Sequence, residues 1–324
     1  MTPSKLFTRT AAALLGAAAL VPGIAQSQAY PSRDIRFVAA FPAGSGADVL
    51  VRYFANAVQK VSGNTIIVEN KSGAAGLIAA EYAARSRPDG YTVFVHASSG
   101  IANMLALYKK PPIDPYKAME VVATINRQPF MIMVDPKSPY KTLAQLTEAM
   151  KKKGEKATYG VAAMTGRVVG EIYKARTGIK AVEVQYKTAN DSLNDQLSGR
   201  LDYTVQDPQY AMAMHREAKL RILGVSTGER LQANPDLPTM REQGVDMDVT
   251  GWFAAMVPAG TPAPVKAKLH EWFVKVVSTP ETKAFLNQSG GDPLIETQEQ
   301  AQKRLLRDID SWKEWAKMAR IVPQ

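Results

Sequence analysis

The chain has 324 residues, contains no cysteine and carries a formal net charge of +10. The lack of cysteine excludes disulfides, thiolate catalysis and cysteine-bound metals, and a chain of this length can bury a sufficient core without them. The excess of Lys and Arg suits nucleic acid, a membrane surface or anionic ligands as partners. Nucleic acid is disfavoured, because the sequence has no long basic block with interleaved aromatic residues.

Residues 1–29 have the pattern of a secretory signal peptide. Lys5 and Arg9 supply the positive charges at its start, residues 11–21 form an apolar stretch, and small residues up to Ala29 suit cleavage. A membrane anchor is disfavoured, since the apolar stretch is too short to span a bilayer. We expect an exported, soluble protein whose net charge falls to +8 without Lys5 and Arg9.

A strand, a glycine turn and the start of a helix form the first candidate site. Residues 37–41 are almost continuously apolar, as in a strand buried on both faces. Gly44 and Gly46 allow a sharp turn that leaves backbone N–H groups uncovered. Ser45 and Asp48 have the Ser-x-x-Asp spacing of a helix N-cap pair. Free N–H groups and the positive end of the helix dipole would converge here on an anion.

This turn has two other interpretations. It resembles the first turn of many α/β domains, where small residues serve close packing alone. A dinucleotide-binding fingerprint is disfavoured, because Val49 stands where Gly-x-Gly-x-x-Gly requires its third glycine, and no Walker lysine follows.

Strand and helix patterns then alternate along the chain, which predicts an α/β fold with βαβ units and mostly parallel sheets. The predicted strands are residues 65–68, 91–95, 121–125, 130–134, 157–161, 182–185, 203–205, 220–225 and 252–257. The predicted helices are residues 73–85, 143–153, 166–176, 192–197, 262–277 and 298–320.

Eight motifs in a fixed order give the mature chain a family resemblance. They include Phe-Pro-Ala-Gly-Ser-Gly-Ala-Asp (41–48), Val-Glu-Asn-Lys-Ser-Gly-Ala-Ala-Gly (68–76), Pro-Asp-Gly-Tyr-Thr (88–92), Leu-Pro-Thr-Met-Arg-Glu-Gln-Gly (237–244) and Val-Pro-Ala-Gly-Thr-Pro (257–262). With these motifs the chain resembles the Bug/TctC family, the extracytoplasmic solute receptors of tripartite tricarboxylate transporters.

The resemblance implies a periplasmic binding protein-like fold, with two α/β lobes around a central cleft joined by two crossing strands. Domain 1 would be discontinuous, with residues 30–131 and 253–324, and domain 2 would span residues 132–252. The protein would be a periplasmic monomer. Ligands of open α/β sheets bind beyond the carboxyl ends of strands, which agrees with a cleft between such lobes.

The resemblance also implies a ligand carboxylate gripped between loops of both lobes. The implied first-lobe contacts are Phe41, Pro42, Ala43, Gly44, Ser45, Ser98 and Ser99. The implied second-lobe contacts are Met164, Thr165, Gly166, Arg167, Lys187, Thr188 and Asp207.

Two of these residues have competing interpretations. Arg167 could be solvated, could pair with Glu171 four residues on, or could face the ligand. A cation in the first turn of a helix opposes the dipole unless an anion is near, which favours the ligand-facing role. Asp207 could accept a hydrogen bond from the ligand or cap a turn, and the cap is favoured.

Catalytic chemistry has little basis in this sequence. The histidines are His96, His215 and His270, and His96 precedes Ser98, a spacing that suits a Ser–His pair. However, the chain has no Gly-x-Ser-x-Gly elbow and no metal-type histidine spacing. We therefore expect no enzyme activity, metal or cofactor, and we interpret His96 as a hydrogen-bonding group of the cleft.

The function expected from these features is capture of a small carboxylate and its delivery to membrane permease subunits of a tripartite transporter. A dicarboxylate is favoured, with one carboxylate at the Pro42–Ser45 turn, the second at Arg167, and an apolar or aromatic spacer between them. The alternative is an orphan co-receptor that presents its carboxylate ligand to a signalling sensor.

Overall fold

The computed structural model describes residues 30–323, so the predicted signal peptide lies outside the described residues. In this part of the chain the strands are β1 (Ile35–Ala39), β2 (Ile66–Asn70), β3 (Thr92–Ala97), β4 (Met119–Gln128), β5 (Met131–Val134), β6 (Thr158–Val161), β7 (Val182–Gln185), β8 (Tyr203–Gln206), β9 (Arg221–Val225), β10 (Gly251–Pro258) and β11 (Asp292–Pro293). The α-helices are α1 (Gly46–Ser62), α2 (Leu77–Ala84), α3 (Ser99–Ala102), α4 (Met104–Leu107), α5 (Leu143–Lys153), α6 (Met164–Thr177), α7 (Asp191–Leu197), α8 (Pro208–Arg216), α9 (Ala263–Val277), α10 (Pro280–Gln288) and α11 (Gln298–Met318). No helix among the described residues combines the length and apolar character needed to cross a bilayer.

The strands form two mixed sheets, with orders β11-β4-β10-β3-β1-β2 and β7-β6-β8-β5-β9. In the first sheet β1 runs parallel to β2 and β3, whereas β10 runs antiparallel to β3 and β4. In the second sheet β6 runs parallel to β7 and β8, whereas β5 runs antiparallel to β8 and β9. The α/β prediction is confirmed, but the expectation of mostly parallel sheets is wrong. The reason is that β5 and β10, the first strands after the chain passes between the sheets, run antiparallel to their neighbours.

The packing of α1 on the first sheet fixes where its N-terminus lies. Phe37 of β1 and Phe54 of α1 are fully buried, and their rings stack on Phe273 of α9 with centroids 5.7 and 6.0 Å away. Burial of an aromatic side chain of this size contributes about 1.5–3 kcal/mol. The start of α1 is thereby held just beyond the carboxyl end of β1, where α/β sheets bind ligands.

The C-terminal helix α11 packs with one apolar face on β4, α3, α4 and α6. Its first turn carries a capping box, in which Thr297 and Gln300 exchange side-chain and backbone hydrogen bonds. Its buried residues follow helical spacing: Ala301, Leu305, Ile309, Trp312 and Ala316. This helix reaches elements attached to both sheets and forms part of the wall of the site described next.

Candidate ligand-binding site

A cavity of about 750 Å³ lies between segments that belong to both sheets. Its lining includes residues at or just before the N-termini of α1, α6, α7 and α8. Helix N-termini carry unpaired N–H groups and the positive end of the helix dipole, so this arrangement favours an anion. Nine of the residues implied by the family resemblance line the cavity: Phe41, Pro42, Ser45, Ser98, Ser99, Met164, Thr165, Thr188 and Asp207.

The turn before α1 uses some of its own donors internally. The Ser45 hydroxyl accepts a hydrogen bond from the Asp48 N–H at 3.3 Å, which confirms the predicted N-cap. Gly44 adopts a φ of +81°, and its N–H donates to the Asp48 carboxylate at 2.8 Å. The Ser45 N–H donates to the Pro42 carbonyl at 3.2 Å. The amides of Gly44 and Ser45 are therefore not open to a ligand.

The donors that remain at this helix start belong to Gly46 and Ala47. Both residues line the cavity, and within the described residues their N–H groups have no acceptor. They are the first two positions of a 17-residue helix, where N–H groups have no partner inside the helix. They were not among the contacts predicted from the sequence, although they directly follow the cap residue Ser45.

The side chain of Asp48 stabilises the turn before α1 through hydrogen bonds. Its carboxylate is almost fully buried and accepts hydrogen bonds from Gly44, Arg52 Nε at 2.8 Å and Asn70 Nδ2 at 2.6 Å. Burial raises the pKa of Asp48, but the hydrogen bonds from Arg52, Asn70 and Gly44 outweigh burial and leave the pKa below its usual value. The carboxylate is therefore ionised at neutral pH and fixes the positions of the α1 amides.

A second helix start presents donors from the other sheet. No side chain caps α6, and the N–H groups of Met164, Thr165 and Gly166 have no acceptor within the described residues. Met164 and Thr165 line the cavity, whereas a Cβ on Gly166 would come within 3.0 Å of the Val205 carbonyl. Gly166 thus serves close packing of α6 on β8 rather than forming part of the cavity wall.

Five residues implied by the resemblance lie outside the cavity lining: Ala43, Gly44, Gly166, Arg167 and Lys187. Arg167 Nε donates to Glu183 of β7 at 3.0 Å, so the Arg167–Glu171 pair that the sequence left open as an alternative does not form. Arg167 instead borders a separate cavity of about 500 Å³, together with Tyr108 and Arg320. The geometry does not support a ligand-facing Arg167, because Glu183 already neutralises its charge.

His96 is a neutral group in the wall of the cavity. It is 5% exposed, and its ring packs edge-on against Phe41 with centroids 4.4 Å apart. The Ala97 N–H donates to His96 Nδ1 at 2.7 Å, so the neutral ring carries its proton on Nε2. Burial lowers the pKa of His96 to about 3. The hydroxyl of Ser98 donates to Asp308 at 3.4 Å rather than to His96, so the structure does not form a Ser–His pair.

Asp207 caps the helix that follows it. Its side chain accepts a hydrogen bond from the Tyr210 N–H at 3.0 Å, and Pro208 occupies the first helical position of α8. Burial raises the pKa of Asp207, and backbone hydrogen bonds oppose that rise in part. The structure confirms the predicted capping role.

Asp308 is a site residue that the sequence analysis missed. It lies on α11 and lines the cavity with Trp312 and Trp315. Its Oδ2 accepts a hydrogen bond from Trp252 Nε1 at 2.6 Å. The available signal was a carboxylate on the otherwise apolar face of α11, next to Leu305 and Trp312 in the helical repeat.

The described residues that line the cavity include acidic side chains but no cationic ones. Among the described residues around the cavity, none is Lys or Arg, while Asp207 and Asp308 are carboxylic acids. No cluster of His, Asp or Glu in the described residues could hold a metal ion. An anion bound here would therefore be held by uncharged donors, among them the backbone amides at helix starts.

Comparisons with known proteins agree with this geometry. The profile of the tripartite tricarboxylate transporter family receptor, TctC, matches residues 50–320. A UPF0065 protein of Agrobacterium vitis is 31% identical over 273 residues, which cover 83% of this chain and 78% of the relative.

Two solved structures extend this likeness to the fold. R. palustris Rpa4515, solved with adipate, has a TM-score of 0.81 and 28% identity, covering 91% of this chain and all of the other. The periplasmic binding protein BugD has a TM-score of 0.78 and 27% identity at the same coverage. These matches confirm the predicted periplasmic binding protein-like fold. They also confirm the prediction that the chain is a solute-binding receptor and not an enzyme. The chain therefore belongs to the TctC family, the receptors of tripartite tricarboxylate transporters.

Proposed function

We propose that this receptor works in the periplasm, captures a small dicarboxylate and delivers it to the membrane permease of a tripartite transporter. The observation that carries the proposal is that two helix starts with free backbone amides face the cavity. Within the described part of the chain, the Gly46 and Ala47 amides of α1 remain free beside the Ser45 cap, and at α6 no side chain caps the helix. One ligand carboxylate would accept hydrogen bonds from the Gly46 and Ala47 amides. The other would accept them from the Met164 and Thr165 amides.

Backbone donors suit this task without any cationic side chain. An N–H hydrogen bond to a charged acceptor contributes about 1.5–3 kcal/mol, and the helix dipole adds to the attraction. Phe41, Met164 and Tyr210 line the same cavity and would contact the carbon skeleton of the ligand. A carboxylate ligand also agrees with Rpa4515, a structural neighbour solved with adipate.

We further propose that the chain forms two lobes, residues 30–131 with 253–324 and residues 132–252. Support comes from the sheets, since the chain leaves the first sheet after β4 and returns to it at β10. The cavity lies between segments of both sheets, so a ligand bound at both helix starts would draw the lobes together. The membrane partner follows from the family, whose members are transporter receptors.

The test is calorimetry of the mature protein with adipate, hexanoate and adipamide. These compounds share a six-carbon skeleton and differ in the number of carboxylates. Adipate should bind at least about tenfold more tightly than hexanoate, adipamide should not bind, and saturation with adipate should reduce the radius of gyration in small-angle scattering. Equal binding of adipate and adipamide would refute carboxylate recognition, and equal binding of adipate and hexanoate would refute the second carboxylate site. Shorter dicarboxylates and terephthalate, each with its diamide, extend the comparison to other spacers.

A further inference from the structure

Among the described residues, hydrogen bonds reach only one of the two carboxyl oxygens of Asp308. Its Oδ2 accepts hydrogen bonds from Trp252 Nε1 at 2.6 Å and from the Ser98 hydroxyl at 3.4 Å. Its Oδ1 accepts no hydrogen bond from any described residue, yet Asp308 lines the cavity. An acceptor is therefore available to a ligand on this wall.

No cation among the described residues forms an ion pair with this carboxyl group. Within the described residues, no Lys or Arg nitrogen lies within 4.0 Å of it. Arg304, one helical turn earlier, is held by Glu296, with Nη2 to Oε1 at 2.5 Å and Nε to Oε2 at 2.9 Å. Arg307 is exposed. Arg304 is thus already paired with another carboxylate.

The surroundings of Asp308 make an unbalanced charge costly. Trp252, which donates to it, is fully buried, and Trp312 is 3% exposed. Burial raises the pKa of Asp308 to about 6, and the hydrogen bond from Trp252 and the charge of Arg304 oppose that rise. A cation placed in the cavity would remove this penalty, because an opposite charge nearby favours the ionised carboxylate.

A purely structural role does not explain the carboxylic acid. A neutral side chain such as Asn could also accept the Trp252 and Ser98 hydrogen bonds, since both reach the same oxygen. Around the same cavity, none of the described lining residues is Lys or Arg, so its donors for anions are uncharged groups such as the amides at the starts of α1 and α6. Asp308 thus presents a carboxyl oxygen to the cavity without a Lys or Arg of the described residues in contact with it.

We propose that Asp308 binds a protonated amine of the ligand, which makes the physiological ligand an amino-substituted carboxylate. This inference rests on the proposed function, since the helix starts would hold the carboxylates of the same molecule. The Asp308 carboxylate accepts a charge-assisted hydrogen bond from the ammonium group. Ligands that lack the amine leave Asp308 desolvated and unpaired, and bind less tightly for that reason.

The test uses pairs of probes that differ only by an amine. The pairs are succinate and aspartate, glutarate and glutamate, adipate and 2-aminoadipate, and hexanoate and 6-aminohexanoate. Calorimetry of the native mature protein near pH 7.5 should show at least one pair in which the amine improves affinity by about tenfold or more. In Asp308→Asn the gain from the amine should fall to less than about twofold. The probe of each pair that lacks the amine should bind this variant at least as tightly as it binds the native protein.

Asp310→Asn is the matched control, because Asp310 lies on the same helix, is exposed and does not line the cavity. It removes the same charge and should keep the amine preference. The inference is overturned if no amine improves binding, or if the improvement survives in Asp308→Asn. When simple carboxylates bind and amines add nothing, only this inference fails. When none of the eight probes binds, the proposed function fails with it.

Discussion

Replacing Gly44 with valine should weaken ligand binding by about 30-fold or more while the protein remains folded. Gly44 has a φ of +81°, a conformation that β-branched residues rarely adopt. A Cβ there would meet no atom within 4 Å, so the effect comes from backbone strain, about 1–3 kcal/mol, rather than from a clash. Relief of the strain would break the Gly44–Asp48 hydrogen bond and displace the Gly46 and Ala47 amides. The loss of one such charge-assisted hydrogen bond, about 2 kcal/mol, corresponds to about 30-fold in affinity.

Gly63→Val provides the matched control at the other end of α1. Gly63 has a φ of +72° and, like Gly44, leaves room for a Cβ. The Gly63→Val variant should therefore lose a similar free energy of unfolding in urea denaturation, yet bind the ligand with native affinity. If Gly44→Val retained affinity within about threefold at a comparable loss of stability, the turn would have only a structural role.

Replacing Asp48 with alanine should lower the free energy of unfolding by about 3 kcal/mol or more. The carboxylate is 1% exposed and accepts hydrogen bonds from Gly44, Arg52 and Asn70. Alanine leaves these donors without their acceptor and leaves a space beneath the turn. Urea denaturation at pH 7 measures the loss, and ligand affinity should fall with it, because the α1 amides lose their support.

The pH dependence of stability gives a second readout for Asp48. Its pKa in the folded protein lies below the usual value of 3.8. The stabilisation from its charge is therefore fully present above pH 3.8 and is lost as the pH falls through the lower folded-state pKa. Asp48→Ala should lack this component. Glu314→Ala, which removes an exposed partner of Lys317, should change stability by less than about 0.5 kcal/mol. A comparable effect of the two substitutions would contradict the role given to Asp48.

Local patterns were sufficient to predict the framework around the first helix start. The signals are all short-range: an apolar strand, a glycine turn and the cap pair Ser45 and Asp48 at a helix start. The structure contains each of them. The starts of α8 and α10 carry equally clear signals, although neither helix was among those predicted. Asp207-Pro208 and Thr279-Pro280 each place a capping residue before a proline at the first helical position.

The partners of charged side chains could not be predicted in the same way. Arg167 pairs with Glu183 on a neighbouring strand. Asp48 accepts the hydrogen bond of the Gly44 amide, so the amides left free for a ligand are those of Gly46 and Ala47. Asp308 reaches Trp252, which is 56 positions away in the chain. Such pairs depend on how the sheets and α11 pack, and local spacing contains no information on that packing.

The central claim is that the start of α1 binds a ligand carboxylate, and backbone amide chemical shifts test it most directly. The ¹H–¹⁵N spectrum of the labelled mature protein is recorded while adipate or 2-aminoadipate is added to saturation. The Gly46 and Ala47 amides should shift downfield by more than most others, because a charged acceptor then binds them. The Gly44 amide should move little, since it already donates to Asp48. Saturation without a shift at Gly46 and Ala47 would contradict the account.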